Sequence, residues 1–330
     1  MPLSQLRQDV VSGDWIVIAP NRRKRPDQFK SIRRQRAPQR GCPFELRTKT
    51  HREPILAYTD ARGLTLQIIA NKFPAFSHRD TCTHVVAQGP YAVTEGIGYH
   101  DIVITRDHHK DFPDLSRAQA EEVFAAFRER YTMLTHDRCL AYVSIFHNWG
   151  PAAGASIYHP HYQIIGIPAV PPDVQHSLDG ALRYFNRHRS CVHCAIIAWE
   201  RKQRARVICE NEDAIVFAPF FSKNAFEFRV FPKKHNAYFE ASDAASLAGV
   251  VEVLRTSLAM MKWSLRDPDS NFFVHTAPLR RNGEYKSYHW HLEVFPKITI
   301  PAGFELGTGI DINSVDPDDA ARILRGKGIK

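Results

Sequence analysis

The 330-residue chain has no unbroken apolar run near the roughly 18–20 residues that a bilayer span requires. Its N-terminus, MPLSQLRQDVVSGDW, lacks the apolar core of a secretory signal, so a cytoplasmic protein that does not contact membranes is expected. Cysteine is sparse. The six, Cys42, Cys82, Cys139, Cys191, Cys194 and Cys209, are expected to be mostly reduced in such a setting. Regular alternation of strands with helices is also missing, which argues against a doubly wound parallel sheet. Acid is nearly absent from one stretch: residues 21–40 hold nine Lys and Arg against one Asp. Such a run can contact nucleic acid, contact a phosphate ligand or form a solvated loop. No nucleic-acid recognition motif accompanies it, and a nucleic-acid partner is not expected. The remaining composition, 44% hydrophobic and 24% charged with a net charge of +9, is that of an ordinary globular protein large enough for two domains or two halves around one core.

What is present is a pattern that occurs twice. YHPHYQIIGIP (158–168) and YHWHLEVFP (288–296) each carry a His-x-His strand. Upstream of the first lie Cys42-Pro-Phe-Glu45, a strand running to His108, and a helix capped by Ser116 with apolar Val123, Phe124, Phe127, Tyr131 and Leu134. Upstream of the second lie Cys191-Val-His-Cys194, a strand running to His235, and a helix capped by Ser242 with Leu247, Val250, Val251, Leu254 and Leu258. His108 precedes His159 by 51 residues; His235 precedes His289 by 54. Two halves, 1–170 and 171–330, are therefore expected in an α+β fold. Each is an antiparallel sheet with a packed helix, and a further helix is expected after the PAVPPD break.

Strand side chains alternate between faces. His159, His161 and Gln163 share one face, and Tyr162 and Ile164 the other. Pro160 cannot donate to a ladder, which places the strand at an edge or at its own beginning. The small-residue loop HNWGPAAGAS (147–156) lets backbone N–H groups approach a phosphate closely. A neutral His offers a nucleophilic ring nitrogen at pH 7, and a Gln two residues on offers an NH2 donor to a phosphoryl oxygen.

At these residues the chain resembles the galactose-1-phosphate uridylyltransferase family, the transferase branch of the histidine-triad proteins. The resemblance rests on Asn148-Trp149-Gly150, Gly154-Ala155-Ser156 and His159-Pro160-His161-Tyr162-Gln163. It extends to RQDVVSGDWIVIAPNRRKRP (7–26), NKFPAF (71–76) and GFELGTGIDIN (303–313), and so covers almost the whole chain. It implies a tandem pair of histidine-triad-like halves, the first catalytic and the second not. It also implies a ping-pong reaction with no redox cofactor. His161 attacks the α-phosphorus of a nucleotide-sugar, expels the sugar 1-phosphate and becomes nucleotidylated; a phosphate-bearing acceptor then takes the nucleotide. In this reading a carbonyl near His159 orients His161, Gln163 and Ser156 hold phosphoryl oxygens, and Asn148 supports the Gly154 loop. Asn71 and Phe73 meet base and ribose, although Phe73 is equally readable as core. Arg22 and Arg25 match arginines that reach substrate phosphate from the partner subunit of a homodimer. A solvated loop describes Arg33 to Arg40 better.

The resemblance also implies zinc. Cys191, Cys194, His235 and His289 form a closed Cys2His2 set in the second half. The first-half set is Cys42, Glu45, His108 and His159. Glu45 stands where a second Cys is usual, and the sequence leaves open whether this set holds metal. Glu293 stands where Gln163 does, and its carboxylate would repel a phosphoryl oxygen, so the second half is expected to be chemically silent. The leading expectation for the reaction is UMP transfer between UDP-glucose and galactose 1-phosphate. ADP-sugar phosphorolysis and adenylyl-sulfate:phosphate adenylyl transfer stand as alternatives because GFELGTG replaces the usual hexose-contacting segment. Hydrolysis of nucleotide conjugates is disfavoured because Gln163 cannot act as acid or base toward the leaving group.

Overall fold

The computed structural model describes residues 3–24, 36–45, 53–279 and 285–326. In chain order the first half contributes strands β1 (Gln5–Gln8), β2 (Trp15–Ile18), β3 (Leu56–Asp60), β4 (Gly63–Ala70), β5 (Val86–Gln88), β6 (Tyr91–Val93) and β7 (Tyr99–Thr105). Helix α1 (Arg117–Thr135) and strands β8 (Tyr142–Trp149) and β9 (His161–Ile167) follow. Helices α2 (Pro172–His188) and α3 (Val192–Gln203) lead to β10 (Val207–Glu210), β11 (Ala214–Phe217), β12 (Phe228–Pro232) and α4 (Ala244–Ser264). The chain closes with β13 (Ser270–His275), β14 (His291–Pro296), α5 (Gly303–Thr308), β15 (Ile312–Asn313) and α6 (Pro317–Leu324).

Ten strands make one antiparallel sheet in the order β10-β11-β12-β14-β13-β8-β9-β7-β4-β3. β8 and β13 form its centre, with Asn148 opposite Asn271. A small second sheet joins β1 and β2 to β15, with β2 pairing with the last strand of the chain. Arg7 strengthens that closure by an ion pair to Asp316 at 2.8 Å.

Alternation sorts the sheet into two faces. On one face α1 and α4 lie side by side. Phe124, Phe127 and Tyr131 from α1 and Val250, Leu254 and Leu258 from α4 share a core with Tyr162, Ile164, Leu292 and Val294. The other face carries His161 and Gln163 in the first half and His291 and Glu293 in the second.

Ser116 caps α1 as expected, in a capping box with Gln119. Ser242 does not cap α4; Asp243, one residue on, takes the position and accepts from the Ser246 N–H. The carboxylate is also placed at the positive end of the helix dipole, where a hydroxyl gains less. By length and apolar composition alone α4 could cross a bilayer. Scattered Ser, Thr, Glu and Arg hide this from a search for unbroken runs. Its apolar side is packed on the sheet and against α1. A Cys82–Cys139 disulfide ties the excursion that bears β5 and β6 to the turn after α1, a bond not anticipated among cysteines expected to be mostly reduced. The other four are free thiols.

Candidate active site and metal centres

β9 begins at His161 because Pro160 has no N–H to give the ladder. Tyr162 and Ile164 then turn into the core, and His161 and Gln163 turn to the opposite face. His161 lies 2.9 Å from the His159 carbonyl through Nδ1. A carbonyl can only accept, so Nδ1 carries the proton and Nε2 keeps its lone pair. The Phe44 ring packs edge-on against the imidazole, with centroids 4.9 Å apart. Burial lowers the pKa of His161 below its ordinary value, opposed in part by the bond to His159. The ring therefore favours its neutral form, with the Nε2 lone pair available.

Gln163 is half-buried, and its Oε1 sits 2.8 Å from Nε2 of His100, a diagonal neighbour on β7. His100 also meets Nδ2 of Asn71 at 3.0 Å and the Ala75 N–H at 3.0 Å. Asn71 Oδ1 accepts from the Phe73 N–H. Asn71 is thus linked to Gln163 through His100. Phe73 is 80% exposed, which removes the core-packing reading and leaves a bare ring beside the site.

The loop after β8 is braced from the second half of the chain. Asn271 Nδ2 donates to Asn148 Oδ1 and to the Ala153 carbonyl, both at 2.8 Å. Asp269 accepts from the Ala152 N–H at 2.7 Å. Gly150 has φ +85°, and a Cβ there would sit 2.0 Å from Asp269 Oδ1, so only glycine fits. Ser156 is exposed at the rim. Arg22 lies in the turn after β2, beside β15 rather than on the strand of His161. Arg25 lies outside the described residues. Sequence reasoning missed His100, Asp269 and Asn271. None belongs to a local motif.

Both metal sets gather their ligands. In the first, His159 Nδ1 lies 3.2 Å from His108 Nδ1, 3.7 Å from Cys42 Sγ and 3.8 Å from Glu45 Oε1. His159 Nε2 faces the Thr105 carbonyl at 2.7 Å and His108 Nε2 faces the Ala37 carbonyl at 3.1 Å. Those carbonyls take the protons, so two bare Nδ1 lone pairs point at each other. That contact is repulsive unless a cation lies between them, which is how a ligating His is normally oriented. Burial drives the pKa of His159 down to about 4, so it is a neutral ligand.

In the second set Cys194 Sγ lies 3.3 Å from His235 Nδ1 and 3.5 Å from His289 Nδ1, with Cys191 within reach of all three. His235 Nε2 again faces a carbonyl, that of Lys286, at 2.9 Å. The hydrogen bond from Cys194 pulls the Cys191 thiol far below its ordinary range, toward the thiolate that zinc prefers. The donor sets fit zinc at both places. Zinc held by these residues would cross-link distant segments of the chain.

The second half copies the nucleophile's orientation but not its surroundings. His291 Nδ1 faces the His289 carbonyl at 3.0 Å, as His161 faces His159. Its Nε2, however, faces Glu293 at 3.5 Å, and Glu293 is clamped by the Arg229 guanidinium at 2.9 Å. Burial drives His291 down to about 4. His275, His291 and Glu293 also lie close enough to hold a cation, but Arg229 already balances that carboxylate. A cavity of about 600 Å³ opens nearby between α3, β11 and β12, lined by Trp199, Phe217, Phe231 and Arg229 and by no residue of the His161 site.

Comparison with known proteins agrees with this geometry. A family model described as "Domain of unknown function (DUF4921)" matches residues 41–325. ADP-glucose phosphorylase of Arabidopsis thaliana is 31% identical over 97% of this chain and 92% of its own length. Galactose-1-phosphate uridylyltransferase of Thermotoga maritima is 24% identical over 98% of each. The crystal structure of an Arabidopsis thaliana ADP-glucose phosphorylase with bound ADP-glucose superposes with a TM-score of 0.83 and 28% identity, over 99% of this chain and 100% of that one. A solved uridylyltransferase gives a TM-score of 0.76 at 25% identity, over 98% of each chain. With a relative this similar over nearly its whole length, the chain belongs to the galactose-1-phosphate uridylyltransferase-like family, which includes ADP-glucose phosphorylase and carries the DUF4921 domain.

Proposed function

We propose that this protein is a nucleotidyltransferase acting on nucleotide sugars and sugar phosphates through a nucleotidyl-His161 intermediate. The observation that carries the reading is the His161 ring, held through Nδ1 by the His159 carbonyl on the same strand face as Gln163. Nε2 attacks the α-phosphorus, a P–N bond forms, and the bond to the sugar 1-phosphate breaks. The leaving group departs as a phosphate and needs no protonation. The imidazolium that results keeps its Nδ1–H on the carbonyl, which stabilises the positive charge. Gln163 and the donors of the Asn148–Ser156 loop meet charge on the non-bridging oxygens. A phosphate acceptor then attacks the same phosphorus from the opposite direction, and His161 returns to neutral.

The donor favoured is an ADP-sugar with inorganic phosphate as acceptor, giving ADP and a sugar 1-phosphate. It is supported by the greater identity to ADP-glucose phosphorylase than to the uridylyltransferase. This reverses the order expected from the motifs, which are common to both activities. UMP transfer between UDP-glucose and galactose 1-phosphate is the second reading. The exposed Phe73 ring suits a stacked base in either case. The strand order, which runs outward from the β8–β13 seam through matching strands, supports two related halves with the second silent. Arg22 and Arg25 act from the partner copy of a homodimer.

Exposure to ADP-glucose, UDP-glucose and adenylyl sulfate in separate reactions, followed by mass spectrometry of the His161 peptide, tests the proposal. The expected result is an adenylyl adduct from ADP-glucose that inorganic phosphate discharges as ADP. An adduct elsewhere, or none from any donor, overturns it.

A further inference from the structure

We propose that His100 is a positioning residue that fixes which end of the Gln163 amide faces the phosphoryl group. The inference rests on the nucleotidyl-transfer reading above. Gln163 is useful only with its NH2 group outward, because its carbonyl oxygen would repel the phosphoryl oxygens. An amide can turn over at little cost, so something must hold it.

The hydrogen-bond chain through His100 favours one arrangement, because a backbone N–H cannot turn away from the ring whereas an amide NH2 group can shift. The Ala75 backbone N–H points at His100 Nδ1 at 3.0 Å. A backbone N–H can only donate, so Nδ1 is unprotonated and the ring proton is on Nε2. Nε2 lies 2.8 Å from Gln163 Oε1 and 3.0 Å from Asn71 Nδ2. Asn71 cannot accept that proton, because its own Oδ1 is turned away to the Phe73 N–H at 3.0 Å, and its NH2 group, a donor, stands against the Nε2–H as the one unfavourable contact of this arrangement. The proton therefore goes to Gln163 Oε1, and the Gln163 NH2 group is left facing the His161 side of the sheet.

The reverse orientation requires a proton on Nδ1, directly against the Ala75 N–H. The same contact disfavours the doubly protonated ring. The loop that the family resemblance assigns to the base thus sets the tautomer of His100, and the tautomer sets the donor at the phosphorus. The register makes this possible: Gln163 pairs with Ile102, which brings His100 to the diagonal position on the same face.

The test is a double-mutant cycle on single-turnover labelling of the full-length protein by radiolabelled ADP-glucose or UDP-glucose. His100→Phe lowers the labelling rate about 10- to 100-fold, within the range for losing one transition-state donor. His100→Gln, which restores an N–H near the Nε2 position, recovers a large part of that rate. In a Gln163→Ala background, His100→Phe costs nothing further. Equal losses for His100→Phe with and without Gln163 overturn the inference, as does an unaltered rate in His100→Phe. Equal rates for His100→Phe and His100→Gln also overturn it, because a purely structural role does not distinguish a donor from a ring. If the wild-type protein takes no label from either donor, the transfer reading has failed, and that result is separate from any ranking of the variants.

Discussion

Asn271 and Asn148 face each other across the central seam of the sheet, with Asn271 Nδ2 donating to Asn148 Oδ1 at 2.8 Å. The contact crosses from the strand of one half to the strand of the other. It leaves the Asn148 NH2 group turned toward the Gly154 loop, where a phosphate would lie. The second half of the chain therefore braces the Asn148–Ser156 loop of the first.

Asn271→Asp keeps the shape and removes both donated bonds, setting a carboxylate against two acceptors, Asn148 Oδ1 and the Ala153 carbonyl. The expected cost is about 1–3 kcal/mol in urea unfolding. A fall in the rate of nucleotidyl-enzyme formation should accompany it. Wild-type stability and rate in this variant would show that the seam does not support the loop.

His161→Asn is expected to abolish labelling by nucleotide-sugar, whereas His291→Asn retains a labelled enzyme. The reason is the partner of each Nε2: His161 has a free lone pair, and His291 faces the Glu293–Arg229 pair. Mass spectrometry of the labelled peptides checks it. Loss of label in His291→Asn as complete as in His161→Asn would make the second half a participant.

The pH dependence of single-turnover labelling follows from the lowered pKa of His161. The reactive ring is neutral above its folded pKa, and that pKa lies below the ordinary 6.5. The rate is therefore expected to be level from pH 8 down past 6.5 and to fall only on the acid side of it. A half-maximal rate at or above pH 6.5 would mean that burial does not act on the nucleophile in this way.

Elemental analysis of purified protein is expected to find two zinc ions per chain. Cys194→Ser should remove one and Cys42→Ser the other, each with a lower melting temperature because a cross-link between distant segments is lost. One zinc in the wild-type chain would show that the Cys42–Glu45–His108–His159 set folds without metal, despite the facing lone pairs of His108 and His159.

Local chemistry was legible in the chain. The alternation of His159, His161 and Gln163, the missing N–H of Pro160, the cap at Ser116 and the Cys191/Cys194 pair all depend on neighbours within a few residues, and period and spacing suffice for them. The Cys2His2 and Cys-Glu-His-His sets were legible through the repeat and the resemblance, because the ligand positions recur at similar spacing.

Relations across strands were not legible. His100 comes 63 residues before Gln163, and Asn271 123 residues after Asn148, with nothing in the intervening chain to mark either pair. Their meeting depends on register, and a shift of one residue would turn each side chain to the other face. The strand ladder and the packing of α1 and α4 on the opposite face hold that register. The Cys82–Cys139 bond is of the same kind, set by the folding back of the β5–β6 excursion onto the turn after α1. The sequence by itself determined that His159, His161 and Gln163 alternate along one strand and that Cys and His recur at matched spacing, since strand alternation is a property of the local backbone. The tertiary structure decided which distant side chains orient them, since hydrogen bonds between strands exist only once the sheet has set its register.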